Sequence, residues 1–524
     1  MALPQPPRLM NWTFAMPFIP PASSIPIRQA IASSLMALAL AGCTMGPNFT
    51  KPAPSAPADW TSWRSGDASL HGAIGTDATL PADWWRAFND PVLDELVRRG
   101  FAASPDLQTA ALHVAQARVQ RGSAAVQGLP QINASGQVSR QRQSEHGAST
   151  RLLNVVSSSS SGSDRDALVK LLSEPFTLYQ TGLDASWELD LWGKVRRSLE
   201  AADAGVAQQA ALLDHARLSL ASDVARNYFD LRATQRKIAL AREDITALKE
   251  RTDLLSARTT GGINNHFDLE RQRSELQGIE AQLPALLAQE AAQANQIALL
   301  LGERPGALGD LLKPVADAGK PALPDLALGL PSEIALCRPD IRAAEARLHS
   351  VTANIGVAKA DMYPSIRLGG GFNLESYRAE NLFDWASRAW SIGPSVSLPL
   401  FDGGRRKRVV QLRELEQKEA AVSYQQTVLQ AWQEIDDALN GYTAEQQQNA
   451  MLAARLDSAR AAFDLASARY RGGVITWLDV IDSQRTMLQA SRDLADSNGR
   501  LATRYAALNK AIGNASESTA AKAN

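Results

Sequence analysis

Gly182-Leu183-Asp184-Ala185-Ser186-Trp187-Glu188-Leu189-Asp190-Leu191-Trp192-Gly193-Lys194 decides the reading of this chain. It returns in altered form as Gly393-Pro394-Ser395-Val396-Ser397-Leu398-Pro399-Leu400-Phe401-Asp402-Gly403-Gly404-Arg405. The offset is 211 residues, and it also pairs Arg258, Gly261 and Gly262 with Arg469, Gly472 and Gly473. Asp268 pairs with Asp479, and Leu301-Gly302 with Ile512-Gly513. Upstream the offset becomes 234, matching Pro105-Asp106-Leu107 to Pro339-Asp340-Ile341 and Leu129-Pro130 to Tyr363-Pro364. The first copy thus carries 23 extra residues, which fall in the Ser-rich stretch around Ser157 to Ser163. Self-similarity at a fixed spacing is the mark of an internal repeat, and we read it as an old gene duplication.

Each copy reads helix, strand, loop, strand, long helix, break, helix. Strands are expected over 130–140, 178–190, 364–374 and 392–400. Leu183, Ala185, Trp187 and Leu189 alternate with Asp184, Ser186, Glu188 and Asp190, the period of a half-buried strand. Ile132, Ala134 and Val138 do the same in the first strand, Ile366, Leu368, Phe372 and Leu374 in the third, and Val396, Leu398 and Leu400 in the fourth. Lengths near ten residues, with a wet face bearing Asp and Glu, suit strands of a membrane barrel better than a soluble sheet. Four strands are too few to close one, so several copies must share it. Two copies give eight strands and three give twelve, and the wider ring leaves an obvious aqueous lumen.

From Lys194 to about Arg258 there is no proline and only Gly205 as a breaker. One helix of about 65 residues there reaches roughly 100 Å at 1.5 Å per residue. Val224, Leu231, Ile238 and Ile245 recur every seven residues, with Leu248 and Leu255 on a second seam. Val428, Trp432, Ile435, Leu439 and Tyr442 step by four and three, which is coiled-coil spacing. Each long helix stops at a glycine pair, Gly261-Gly262 or Gly472-Gly473, which frees the φ angle for a sharp turn. Pro284 is expected to interrupt and kink the returning helix of the first copy.

The chain has 524 residues and a net charge of −1. That balance removes the electrostatic case for nucleic acid. Six histidines (His71, His113, His146, His215, His266 and His349) are too scattered to suggest a metal site, and two cysteines rule out a disulfide framework. No nucleophile, base and orienting group can be assembled by spacing, so no enzyme is expected. Arg28 precedes an apolar run from Ile31 to Ala41, too short for a bilayer span but fitting a signal sequence. The run ends in Leu40-Ala41-Gly42-Cys43, which resembles the lipobox of bacterial lipoproteins, with Cys43 as the acylated residue. Beyond Cys43 no stretch of 18 apolar residues exists, so a membrane crossing has to be made by strands.

Asp83-Trp84-Trp85-x-x-Phe88-x-Asp90-Pro91-x-Leu93 and Ser104-Pro105-Asp106-Leu107 resemble the opening of outer-membrane efflux proteins. So do the two strand-to-helix junctions quoted first, and Tyr470-x-x-Gly473 running on to Asp479-x-x-Asp482. The ordered set is similar to the TolC-like family, and the lipobox points to its lipoprotein (NodT-type) branch serving resistance-nodulation-division pumps. The resemblance covers nearly all of 43–513. It implies a homotrimer whose twelve-stranded β-barrel is continuous with a long α-helical periplasmic coiled-coil barrel. It also implies an equatorial belt from the helix near 90–127, the 303–335 link and the C-terminal tail. A periplasmic adaptor would dock at the tips around Gly261, Gly262, Gly472 and Gly473, above an inner-membrane pump.

The resemblance places a gate as well. Asp479 and Asp482 stand where family members carry an acidic ring at the periplasmic entrance, and clustered like charges favour bound cations. Asp268 matches a residue that links neighbouring coils, with Tyr470 as its expected partner. Arg271 stands at the place equivalent to Asp482, and Ile475 replaces a basic link residue. The same aspartates equally suit the first turn of a helix, where they cap and meet the dipole.

The chain thus divides into a leader and signal peptide over 1–42, a lipid-anchored Pro-rich linker over 43–82, and a first repeat over 83–302. An equatorial connection over 303–335, a second repeat over 336–513 and a tail over 514–524 follow. The expected role is an outer-membrane exit duct for small molecules, with no cofactor beyond the lipid on Cys43. Two alternatives stay open: the outer-membrane conduit of a type I protein-secretion system, and a periplasmic coiled-coil adaptor without a barrel.

Overall fold

A computed structural model describes residues 44–52, 63–71, 83–147, 162–263, 265–314 and 337–514. Cys43, the leader over 1–42, most of the Ser-rich stretch, much of the 303–335 connection and the tail beyond residue 514 lie outside them. The described elements are, in order, α1 (Pro91–Ala103), α2 (Pro105–Val126), β1 (Gln131–Gln141), α3 (Gly162–Ser173), β2 (Phe176–Glu188), α4 (Lys194–Thr260) and α5 (His266–Leu300). Then follow α6 (Pro339–Ala360), β3 (Ser365–Ser376), β4 (Arg388–Ser397), α7 (Arg405–Arg471) and α8 (Trp477–Ala511).

The two halves agree in length. Helices α4 and α7 each have 67 residues, and α5 and α8 each have 35. At 1.5 Å per residue the first pair is roughly 100 Å long and the second roughly 50 Å. A returning helix therefore covers only the tip half of its partner. The other half of α4 packs on α2 and α6, and α7 packs on α6 as well as α8. No helix among the described residues is long and apolar enough to cross a membrane.

The main core forms where the layers overlap, near the middle of the long helices. Val224 and Leu231 of α4 meet Ile435 and Leu439 of α7, Leu501 and Leu508 of α8, and Ile297 of α5. Trp84, Trp85 and Phe88 close it from the segment before α1. Asp90 caps α1 by accepting from Val92 N at 2.9 Å, and also accepts from the Tyr228 hydroxyl, tying that segment to α4. Toward the tips the core thins to small clusters, such as Ala241, Leu248, Ile279 and Leu488.

The sheet is an antiparallel meander in the order β1-β2-β3-β4. Residues opposite each other share a face, and the register sorts them cleanly. Ala134 faces Leu183, Leu183 faces Phe372, and Phe372 faces Trp390. The other face carries Asn133, Asp184, Gln180 and Glu375, with Gln180 donating to Glu375 at 3.0 Å. Nothing in the described chain covers the apolar face: Ile132 is 70% exposed and Ile392 is 72% exposed. Strands β1 and β4 are both left with an open edge.

Several expectations need correction. The fourth strand is Arg388–Ser397 rather than 392–400, because pairing with β3 ends at Ser365 opposite Ser397, and Pro399 has no N–H to extend a ladder. The helix near 90–127 is two helices, broken at Ser104 before Pro105, which keeps its predecessor out of helical geometry. Helix α5 passes through Pro284 without interruption. The loop between β1 and β2 contains a helix, α3.

The 43–82 segment is no simple linker. Residues 44–49 are held at the strand-to-helix junction: Met45 N donates to Trp192 O at 3.0 Å, and buried Arg197 donates to Met45 O and to Asn48 Oδ1 at 2.6 Å. Phe49 stacks on His349 at 4.3 Å. Lower down, the Arg64 guanidinium bonds Asn440 at 2.7 Å and lies 3.5 Å from Asp436, while Trp63 packs edge-on against Trp432. Two docked stretches thus brace the side of the helical layer.

Candidate gate at the helical tips

Both hairpin turns end their helices in the same way. Ile263 N–H bonds Arg258 O at 2.9 Å and Gly262 N–H bonds Thr259 O at 3.0 Å; Val474 and Gly473 repeat these bonds to Arg469 and Tyr470. These are Schellman turns, and only the second glycine of each pair needs the left-handed region. Gly262 has φ 71° and Gly473 has φ 73°, whereas Gly261 and Gly472 stay at negative φ. The expected tip glycines therefore divide into one conformationally required residue and one neighbour per turn.

Asp479 sits in the first turn of α8. Its carboxylate accepts from the Thr476 hydroxyl at 2.7 Å and from Thr476 N at 2.9 Å, completing a reciprocal capping box. The Thr476 hydroxyl and then the Thr476 N–H hold this carboxyl below the ordinary aspartate range. The capping role considered from sequence is thus occupied in the single chain, and the carboxylate stays exposed beside it.

Asp482, one turn further on, points a different way. Its carboxylate lies 3.9 Å from the guanidinium of Arg271 on α5. Just beyond, Arg485 of α8 donates to Glu275 of α5 at 2.6 Å, a contact that raises the Arg485 pKa. Two ion pairs therefore tie the returning helix of one hairpin to that of the other. Sequence reasoning noted Arg271 only as a departure from the acidic pattern. Its pairing needed knowledge that α5 and α8 run side by side.

Tyr470 and Asp268 are not joined within the chain. The Tyr470 hydroxyl accepts from Arg258 at 3.5 Å, and its ring packs against Trp477 at 4.9 Å. Asp268 makes no hydrogen bond or ion pair among the described residues. One more polar group is unmatched here: Gln272 is fully buried with neither amide atom hydrogen-bonded. Cys43 lies outside the described residues, but Thr44 rests against Gly193, where a Cβ would come within 2.8 Å of it.

The geometry can be set beside known proteins. A family model described as outer membrane efflux protein matches residues 96–303 and 330–514. Nodulation protein T of Rhizobium leguminosarum bv. trifolii is 30% identical over 479 residues, covering 91% of this chain and 95% of that protein. Outer membrane protein OprJ of Pseudomonas aeruginosa is 31% identical over 458 residues, 87% of this chain and 89% of that one. Among solved structures, the outer-membrane channel OprN matches with a TM-score of 0.78 at 29% identity, over 90% of this chain and 99% of that chain.

Proposed function

This chain belongs to the outer membrane efflux protein family, and from that premise we propose that it is the outer-membrane exit duct of a tripartite efflux system. It passively conducts small molecules from an inner-membrane pump and a periplasmic adaptor to the exterior. The family is one of efflux proteins, so a protein-secretion conduit is not favoured. The observation that carries the reading is the two-faced, open-edged sheet fused to helices of roughly 100 Å. An uncovered apolar sheet face suits lipid, and the opposite face of Asn, Gln, Ser, Asp and Glu suits a water-filled lumen. Exposed Phe383, Trp385 and Trp390 near one end of the strands, and Phe401 near the other, suit the two membrane interfaces.

Closure belongs to three copies sharing twelve strands. Two exposed heptad seams support this: Leu112, Val119 and Val126 on α2, and Leu415, Val422 and Leu429 on α7. Seven-residue apolar spacing on a helix surface calls for a partner helix, and the described residues of one chain provide none. In the trimer, the lipid on Cys43 joins the docked 44–49 stretch beside the ends of the strands, at the height of the inner leaflet. At the other end, Asp479 and Asp482 from three chains ring the entrance, with Asp268 and Tyr470 nearby, and Gly261–Gly262 and Gly472–Gly473 form the tips that meet the adaptor.

The test is a deletion in the native host. Loss of the gene should raise accumulation of a fluorescent efflux substrate, and the wild-type gene should reverse it. The complementing protein should run as a heat-dissociable trimer in outer-membrane fractions and incorporate labelled palmitate at Cys43. Unchanged accumulation, or a monomer confined to the soluble periplasm, would overturn the reading.

A further inference from the structure

The cations that open α4 have counterparts at the start of α7. Through the offset of 211, Lys194, Arg196 and Arg197 correspond to Arg405, Lys407 and Arg408. In the first copy each has an acid: Lys194 lies 2.7 Å from Asp361, Arg196 3.3 Å from Asp190, and Arg197 2.7 Å from Glu200. In the second copy those acids are gone. Phe401 stands in the place of Asp190 and Gln411 in the place of Glu200, and the offset of 234 sets Gln127 against Asp361. Arg405, Lys407 and Arg408 are exposed and make no ion pair among the described residues. Arg406, between them, lies 3.9 Å from Asp402.

The surroundings differ in the same sense. Residues 44–49 cover the first junction, with Thr44 against Gly193. Among the described residues nothing stands within 4 Å of a Cβ built on Gly403 or Gly404. On the strand side Leu400 is 88% exposed and Phe401 is 92% exposed. The backbone at the start of α7 is already satisfied, because the Asp402 carboxylate accepts from Gly404 N at 3.0 Å and from Arg406 N at 3.2 Å. Attraction for an anion therefore has to come from the side chains. Cα–Cβ bonds tilt toward the N-terminus of a helix, so the cations of this first turn lean toward the sheet. Cations in a first turn also oppose the helix dipole, a cost that no ion pair of these three offsets among the described residues.

We propose that Arg405, Lys407 and Arg408 bind the phosphate headgroups of anionic phospholipid in the leaflet facing the helices, with acyl chains against Leu400 and Phe401. Positive charge beside exposed aromatic and aliphatic groups matches the headgroup-to-hydrocarbon boundary of a bilayer. A second copy of this chain suits the patch less well. In the proposed trimer the exposed seams set a neighbour's α2 beside α7, as α6 lies beside α4 within the chain. That helix brings Gln127 where α6 brings Asp361. The proposal rests on the outer-membrane reading and adds to it a preference among lipids.

The wild-type protein is reconstituted in vesicles of phosphatidylcholine alone or mixed with phosphatidylglycerol, and the lipids it retains on release are counted by native mass spectrometry. Phosphatidylglycerol should be enriched about fivefold over its share of the vesicle. Arg405→Gln with Lys407→Gln and Arg408→Gln should bring the enrichment down to about one. Arg405→Lys with Arg408→Lys should stay within about twofold of wild type, since the charge remains. Inorganic phosphate at matched ionic strength should leave the lipid bound, and displacement by it would overturn the proposal in favour of a free anion. No enrichment in the wild type, or equal enrichment in the Gln variant, would overturn the proposal while leaving the duct reading in place. So would a Gln variant that fails to assemble in detergent while the Lys variant assembles, because the cations would then serve another copy of this chain. A wild-type protein that enters neither kind of vesicle would contradict the duct reading itself.

Discussion

Arg271 and Asp482 each stand nine residues beyond the second glycine of a tip turn, and the guanidinium of one lies 3.9 Å from the carboxylate of the other. Corresponding positions of the two halves have thus become opposite charges facing each other across the returning helices. With Arg485 and Glu275 they form a short ladder holding α5 to α8. Each pair is partly exposed, so either alone contributes at most about 1 kcal/mol. Removing both should matter more. Arg271→Ala with Arg485→Ala is expected to let the hairpins part and to admit large hydrophilic antibiotics that wild-type cells exclude, read as a fall in the inhibitory concentration of vancomycin. Unchanged exclusion would remove the ladder from the account of the gate.

The proposed acidic entrance makes a separate prediction. Asp479→Asn with Asp482→Asn should abolish block of the reconstituted pore by divalent and trivalent cations, because carboxylates grouped about one axis are what bind them. If block persists at wild-type concentrations, the aspartates serve the helix and not the pore.

Asp479 also has a pH consequence, and its sign follows from the capping box. Its folded pKa lies below the ordinary value near 3.8, so its contribution to the start of α8 is present above that value. It is lost as pH falls through the lowered folded pKa. Amide exchange at residues 476–480 should therefore stay protected down to about pH 4 and rise at more acid pH, while Asp479→Asn should remove this dependence.

The seams test the assembly. Val119→Asp with Val422→Asp places charge in the middle of both exposed heptad stripes, on surfaces that the described residues of a single chain leave uncovered. The chain should fold but fail to yield the heat-dissociable trimer, since a buried unpaired carboxylate is costly. Trimer yield equal to wild type would place the contact between copies elsewhere.

How far this was readable in advance depended on the range of the interaction. Val224, Leu231, Ile238, Val428 and Ile435 were legible as seams because heptad spacing is a local pattern, and all five are buried. The faces of the strands were legible for the same reason, since alternation at Leu183, Ala185 and Trp187 fixes a face without knowledge of any partner. Long-range polar contacts were not. Arg197 grips residues 45 and 48, and Arg64 grips Asp436 across 372 positions, through contacts that leave no periodicity. Asp479 stood between the two: Thr476-x-x-Asp479 is a local capping pattern, but its proposed place in a ring about a shared axis depends on other chains.

The tip turns give a cleaner contrast between two kinds of glycine. At Gly473 nothing stands within 4 Å of an added Cβ, so Gly473→Ala pays only for the left-handed φ, roughly 1–2 kcal/mol. At Gly205, inside α4 with the same open space, Gly205→Ala should instead stabilise by roughly 0.5–1 kcal/mol. Thermal dissociation of the proposed trimer should shift down for the first and up for the second.

The most direct test of the whole is electrical. Purified protein reconstituted in a planar bilayer should give long-lived steps of small conductance, rising severalfold when Arg271 and Arg485 are both replaced by alanine. A bilayer that stays silent with both the wild type and the double variant, at protein levels where trimers are present, would contradict the claim that this chain forms a duct.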